Sequence, residues 1–233
     1  MSDPALRFES VRRTFGRRIA LEALDLQLAP GEVLGLLGRN GAGKTTTLRL
    51  AIGVLHPDRG RIRTLGLDPV RRGVSVRERA ALLSEEAALY PWMTVAEILW
   101  LGARLHPRWD AARAATLVER LGLDPAARIR TLSRGTKAKL ALVLAVSPRP
   151  DLLLLDDPTA GLDPVVRREV LEGLLDAIPE EGGAIVYASH LVHDVERVAD
   201  RIAVLDEGRK VLDEPLEALR ASVRRLTAVF EDS

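Results

Sequence analysis

An apolar run from Val33 to Leu37 passes into Gly38-Arg39-Asn40-Gly41-Ala42-Gly43-Lys44-Thr45-Thr46, and a helical pattern follows from Thr47 to Ile52. A strand, a glycine-rich loop and a helix in that order form the context in which G-x-x-x-x-G-K-[ST] cradles phosphate. Glycines let the backbone bend around an anion and turn successive N–H groups inward. The helix N-terminus behind them adds partial positive charge. The stretch Gly38, Arg39, Asn40, Gly41, Ala42, Gly43, Lys44, Thr45, Thr46 is therefore predicted to hold a nucleoside triphosphate. Lys44 reaches the β- and γ-phosphates, and the Thr45 hydroxyl is a ligand for Mg²⁺.

Length and charge bound the rest. A chain of 233 residues suggests one large domain, or one domain with an insertion, with ample core. The formal net charge of +1 predicts no broad attraction to nucleic acid or anionic lipid, so no nucleic-acid partner is expected. With no cysteine, disulfides, thiolate metal sites and cysteine nucleophiles are excluded. The first ten residues lack a basic-then-apolar signal pattern. The longest aliphatic stretch, Leu140 to Val146, is far short of the roughly 18–20 residues that span a bilayer. Any membrane role is expected to come through a partner.

Leu6 to Val11 and Leu21 to Leu28 alternate apolar and polar residues, as half-buried antiparallel strands do. The arginine-rich stretch between them, Arg12 to Arg18, reads as a solvated loop. Within it Phe15 stands beside Gly16, and the residues leave two readings open, a ring that stacks on adenine or a small hydrophobic plug. Short strands are predicted at Arg61 to Leu65 and Ala80 to Leu83. The texture then becomes helical from Ser84 to Pro150. Thr94 and Glu97 make a capping box before Val95 to Ala103. Asp110 caps Ala111 to Leu121, with Gly122 after it, and a third helix runs from Arg134 to Val146. Strands return at Leu152 to Leu155, Ala184 to Ala188, Ile202 to Leu205 and Lys210 to Leu212. Helices at Pro164 to Ile178 and Leu191 to Ala199 alternate with them. That alternation predicts a parallel sheet covered on both faces. The tail, 216–233, begins as a helix, and Arg225 to Phe230 reads as a further strand.

Leu152 to Leu155 followed by Asp156-Asp157 is a buried strand ending in two carboxylates. Coupled to a phosphate loop, the first acid gains a role, and Asp156 is expected to hold Mg²⁺ from the side opposite Thr45. Asp157 then stands where a general base polarises the attacking water. Ser133 with Gly135 reads either as an ordinary helix cap or as a helix end that grips a γ-phosphate. Asp163-Pro164 reads as an Asp cap with proline in the first helical position. His190, directly after a strand, reads on its own as structural.

Together and in this order these pieces resemble the nucleotide-binding subunit of ATP-binding-cassette (ABC) transporters, over residues 5 to 215. GRNGAGKTT looks like Walker A, LLLLDD like Walker B, LSRGT like the LSGGQ signature, TAGLDP like the D-loop and YASH like the switch-histidine loop. The resemblance implies an α/β fold, a P-loop NTPase with a RecA-like parallel sheet, an N-terminal antiparallel β-subdomain and an inserted α-helical subdomain. It implies one ABC ATPase domain: 5–83 and 151–215 form the core, 84–150 the helical part and 216–233 the tail. Phe15 falls at the adenine-stacking position, Asp163 in the D-loop, and His190 at the switch position facing the γ-phosphate. The segment SEEAALYPWMTV resembles the Q-loop, with Glu85 at the position of its glutamine, followed by the groove that receives a membrane subunit; the residues there, Tyr90, Pro91, Trp92 and Met93, read either as ordinary core or as a docking patch for a partner helix. A carboxylate at Glu85 can still meet Mg²⁺. Two copies head to tail are implied, Ser133 and Gly135 of each serving the ATP held by the other. The details look most like a bacterial exporter-type branch encoded apart from its permease, peripheral on the cytoplasmic face of the membrane.

Four positions in three motifs depart from that pattern. Asp157 stands where Walker B has Glu, Glu85 where the Q-loop has Gln, and Arg134 and Thr136 within the signature. The expectation is an ATPase whose hydrolysis is slow, because Asp157 is one methylene short. Alternatives are an ATP-binding switch with little turnover, or a soluble ABC protein acting on ribosomes or DNA. The single cassette, the lack of a coiled-coil arm and the near-zero charge speak against the last.

Overall fold

The computed structural model describes residues 3–84, 89–175 and 183–222. Strands β1 (Leu6–Phe15) and β2 (Arg18–Leu28) form an antiparallel hairpin. Then come β3 (Val33–Leu37), α1 (Lys44–Ala51), β4 (Arg59–Thr64), α2 (Gly73–Arg77) and β5 (Ala80–Ser84). The helical stretch holds α3 (Val95–Leu105), α4 (Ala111–Arg120), a 3₁₀ turn at Ile129–Thr131 and α5 (Arg134–Val146). The chain closes with β6 (Leu152–Asp156), α6 (Pro164–Leu175), β7 (Ala184–Ser189), α7 (Val192–Val195), β8 (Arg201–Asp206), β9 (Arg209–Pro215) and α8 (Leu216–Ser222).

Two sheets result. Three antiparallel strands lie in the order β2-β1-β4, and six lie in the order β5-β6-β7-β3-β8-β9. The first five of the larger sheet are parallel, and β9 runs antiparallel to β8. Why β3 and β6 read as unbroken apolar runs is visible in the packing, since all five residues of each are buried. Along β6, Leu152 and Leu154 face a core shared with α1 and the antiparallel sheet, while Leu153 and Leu155 face a second core built with α3 to α6. A strand wetted on neither side has no use for polar alternation.

The cap signals act as the sequence predicts. The Thr94 hydroxyl accepts from the Glu97 amide, and the Glu97 carboxylate accepts from the Thr94 amide. Asp110 accepts from the Arg113 amide and Ser133 from the Thr136 amide. Each cap is worth about 1 kcal/mol and fixes where a helix begins.

Three expectations need correction. Residues 12–18 are not a long solvated loop. Gly16, at φ 59°, permits a turn so tight that Phe15 pairs directly with Arg18. Asp58 anchors that end of the hairpin, accepting from the Thr14 amide and hydroxyl and from Arg13. The helix after the glycine loop starts at Lys44 rather than Thr47, because Gly43 at φ 110° turns the chain straight into it. The helix expected over Leu191 to Ala199 is a single turn, α7. The expected strand at Arg225 to Phe230 lies outside the described residues.

Among the described residues no helix is long and apolar enough to cross a membrane. At the centre of β3, a Cβ on Gly35 would stand 2.1 Å from Val195 Cγ1 and 3.2 Å from Ala199 Cβ. Overpacking of this kind costs about 1–3 kcal/mol. Gly35→Ala is expected to lower the urea midpoint by an amount worth about 2 kcal/mol without changing the slope of the transition.

Candidate nucleotide site

Parallel pairing of β6 with β7 and of β7 with β3 brings three strand ends side by side, with Leu37 opposite Ser189 and Asp156 opposite Ala188. The loop after each strand therefore opens at one edge of the sheet, where α/β folds bind ligands. One pocket there is lined by Phe15, Arg18, Asn40, Gly41, Gly43, Lys44, Thr45, Thr46, Asp156 and Asp157, with Ala20 at its wall.

The glycine loop is shaped by crowding as well as by dihedral angle. Gly38 lies so close to β8 that a Cβ would stand 2.6 Å from the Leu205 carbonyl oxygen. Gly43 combines its positive φ with a hypothetical Cβ only 2.7 Å from the Ala20 carbonyl oxygen. No side chain caps α1, so its first amide groups keep free donors for an anion.

Lys44 is 5% exposed, and its Nζ donates to the carbonyls of Gly38 at 2.8 Å and Arg39 at 3.4 Å. These bonds curl the loop over the ammonium. The Asp157 Oδ2 is 3.9 Å away. At the end of β6, Asp156 Oδ1 accepts from the Thr45 hydroxyl at 3.0 Å. Burial pushes the Asp156 carboxyl above the usual carboxylate range and neighbouring Asp157 adds to the rise, while Thr45, Arg49 and Lys44 oppose it. A hydroxyl and a buried carboxylate at this spacing are hard oxygen donors suited to Mg²⁺, which takes one or two protein ligands and completes its shell with phosphate and water. Among the described residues no cluster of three acids, histidines or cysteines forms a complete protein cage for a metal.

Asp157 adopts φ 45°, and its amide donates to the Ala188 carbonyl. Its Oδ1 accepts from the Ser189 hydroxyl at 3.0 Å and from the His190 amide at 3.2 Å, and it lies 2.8 Å from His190 Nδ1. In a neutral ring, the tautomer with hydrogen on Nδ1 makes this bond. Asp157 and His190 are thus one unit, with Oδ2 left facing Lys44.

Other expected residues lie elsewhere. Ser133, Gly135 and Asp163 are not among those lining this pocket. Ser133 caps α5, and a Cβ on Gly135 would meet Val166 Cγ1 at 3.1 Å, so α5 packs closely on α6 there. Asp163 accepts from the amides of Val165 and Val166, the cap expected of it. Glu85 lies outside the described residues. Tyr90 and Trp92 are exposed, with ring centroids 5.2 Å apart, while Met93 packs against the core. Their backbone is pinned by bonds from the Ile129 and Arg130 amides to the Met93 and Pro91 carbonyls.

Arg18 is the residue that the sequence did not single out. Its guanidinium donates to the Gly41 carbonyl at 3.2 Å, placing a second cation at the rim of the pocket. Hairpin register was the available signal, because a two-residue turn makes Arg18 the direct partner of Phe15. Arg13 lies 4.8 Å over the Phe15 ring, leaving that half-exposed ring supported on one face.

A glycine loop on a helix N-terminus, a buried lysine and an acid pair at the mouth of a parallel sheet define a nucleotide-binding P-loop domain. Comparison with known proteins narrows this. Residues 21–160 match the family described as ABC transporter. Nod factor export ATP-binding protein I of Paraburkholderia xenovorans (strain LB400) is 37% identical over 228 residues, which cover 95% of this chain and 74% of that relative. Daunorubicin resistance ATP-binding protein DrrA3 of Streptomyces coeruleorubidus is 37% identical over 226 residues, covering 95% and 71%. A solved structure described as the ATP binding subunit of an ABC transporter superposes with a TM-score of 0.84 at 27% identity, covering 93% of this chain and 92% of the other. The structure of cbiO1 from Clostridium perfringens, described as part of the ABC transporter complex cbiONQ, gives 0.79 at 27% identity, covering 95% and 92%. The chain belongs to the ABC transporter family, as an ATP-binding subunit with ATPase activity and the α/β P-loop fold that includes an antiparallel N-terminal sheet.

The raised pKa of Asp156 has a consequence for stability. The folded chain holds this proton more tightly than the unfolded chain, so the ionised carboxylate costs stability as pH rises through that range. Asp156→Asn is expected to raise the melting temperature of the nucleotide-free protein at pH 7. The gain should shrink as pH falls and Asp156 takes up its proton, which thermal denaturation at two pH values would reveal.

Proposed function

We propose that two copies of this chain close head to tail around ATP and Mg²⁺, and that closing and reopening drive a separate membrane permease in export. The observation that carries the reading is the convergence of Lys44, Thr45, Asp156, Asp157 and His190 on one sheet edge, where charge on a triphosphate is met by an ammonium, α1 amides and a cation site. Phe15, backed by Arg13, stacks on adenine. Lys44 and the amides of Gly41, Gly43, Thr45 and Thr46 bind the phosphate tail. Thr45 and Asp156, with Glu85, would hold Mg²⁺, which would supply positive charge to offset that of the phosphates. Asp157 takes the proton of the attacking water through Oδ2, while its other oxygen orients His190 toward the γ-phosphate. Ser133, Gly135 and Asp163 serve the nucleotide of the second copy, in keeping with their absence from the pocket of their own.

Hydrolysis is slow in this reading. An aspartate places its carboxylate roughly 1.5 Å short of a glutamate, and displacement of about 1 Å can cost about 10²-fold in rate. Further in support, Asp157 Oδ1 is already engaged by Ser189 and His190. The exposed Tyr90 and Trp92 pair, on a backbone fixed to the 3₁₀ turn, is the surface assigned to the permease. The complex sits peripherally on the cytoplasmic face of the membrane.

Equilibrium titration with labelled ATP and Mg²⁺ tests the site. Lys44→Ala should weaken binding by about 10²-fold or more, since it removes a buried charge-assisted contact. In turnover assays Asp157→Glu should raise kcat and Asp157→Asn should lower it by about tenfold or more. A wild-type rate in Asp157→Asn would remove Asp157 from the chemistry and favour a binding switch. Separately, Trp92→Glu should detach the permease on purification from detergent while ATP affinity stays within about twofold; intact assembly would count against the docking assignment.

A further inference from the structure

Behind Asp157 and His190 lies a buried ionic cluster that joins the segments carrying them. Asp194, in α7, is 1% exposed, and Thr159, two residues after Asp157, is 2% exposed. Asp194 Oδ2 accepts from the Thr159 hydroxyl at 2.6 Å and from Arg167 Nε at 2.9 Å, while Arg167 Nη2 reaches Oδ1 at 2.6 Å. The hydroxyl of Tyr187, buried in β7, is 3.4 Å from the Thr159 hydroxyl. Four residues thus come from four segments: the end of β7, the turn after His190, the loop after Asp157, and α6.

Holding those segments together does not require charge. Taking a carboxylate and a guanidinium out of water costs several kcal/mol per ion, and an apolar contact of similar volume often serves stability as well. What a two-pronged arginine–carboxylate contact adds is direction, because both groups are planar and must align. The alignment matters at this place. Asp157 and Thr159 are separated by Pro158 alone, and His190 and Asp194 by three residues. A shift of about 1 Å between the two segments would break the 2.8 Å contact of His190 with Asp157.

We infer that Asp194, Arg167 and Thr159 form a positioning cluster that sets the geometry of the Asp157–His190 pair and thereby the rate of ATP hydrolysis. The inference rests on the hydrolytic role proposed for Asp157. None of the three residues lines the nucleotide pocket. The cluster therefore acts on turnover and leaves ATP binding alone.

The test pairs kinetics with imidazole NMR on the purified full chain, whose four histidines make the ring signals assignable. Thr159→Ala and Asp194→Asn should each lower kcat about tenfold or more, with KM and the ATP dissociation constant within about twofold of the parent. Thr159→Ser, which keeps the hydroxyl, should return kcat to within about twofold. Added to Asp157→Asn, Thr159→Ala should cost less than about twofold more, because residues acting through one group are not additive. The His190 ring signals should move in Thr159→Ala and revert in Thr159→Ser. Should Asp194→Asn fail to fold with Arg167 left unpaired, the Thr159 pair decides alone, since it leaves the ion pair intact. Wild-type kcat and unmoved His190 signals in Thr159→Ala overturn the inference, as does an equal loss in the Asp157→Asn background or a parallel loss of ATP affinity. If Asp157→Asn itself turns over at the wild-type rate, the role of Asp157 falls and the kinetic part of the inference with it. Moved His190 signals would then still show the cluster setting that side chain.

Discussion

An ammonium held almost out of water needs negative charge or carbonyl dipoles around it, and the site is arranged around that requirement. Lys44 satisfies it locally by bonding two carbonyls of its own loop, with the Asp157 carboxylate 3.9 Å off. The loop cannot be laid differently without stranding the charge, which would cost several kcal/mol. Gly38 and Gly43 are the positions where the backbone passes too near its neighbours for a side chain. No side chain caps the first turn of α1, so its leading amides remain donors for an anion. A triphosphate completes the balance on both counts.

The second constraint is parallel strand order. Placing β3 between β7 and β8, with β6 beyond β7, makes neighbours of loops separated by more than a hundred residues. The Thr45 to Asp156 bond and the Asp157 to His190 contact are products of that order. Burial then sharpens the chemistry, since the Asp156 carboxyl is pushed up by exclusion of water and by its acidic neighbour, a condition that a bound cation relieves. The buried cluster of Asp194, Arg167 and Thr159 joins α6 to the segments that follow β6 and β7, the same segments that carry Asp157 and His190.

Much of this was readable in the chain. The glycine loop, the double acid after a leucine run and the caps at Thr94, Asp110 and Ser133 each rest on interactions between residues close in sequence, and such interactions survive any packing. Strands buried on both faces were readable too, because a run such as Leu152 to Leu155 has no polar residue to turn to solvent. The reading failed where the decisive partner lies far along the chain. Arg12 to Arg18 looked like a solvated loop because nothing nearby reveals that Asp58 will anchor Thr14 and Arg13, or that Arg18 will lie on Gly41. The helix expected after His190 proved to be one turn. Asp194 drew no attention, since one acid in a polar stretch carries no local sign of burial.

The amino-acid sequence by itself determined that this chain binds phosphate on a loop before a helix, and which family it resembles. Those features depend on backbone freedom at a few glycines and on side chains within one turn of each other. Which charges confront one another was decided by the tertiary structure. It alone set Lys44 near Asp157, Thr45 against Asp156, Arg18 on the loop and Asp194 on Arg167. The reason is electrostatic: the strength of such a contact depends on distance and on excluded water, and both come into being when the sheet closes.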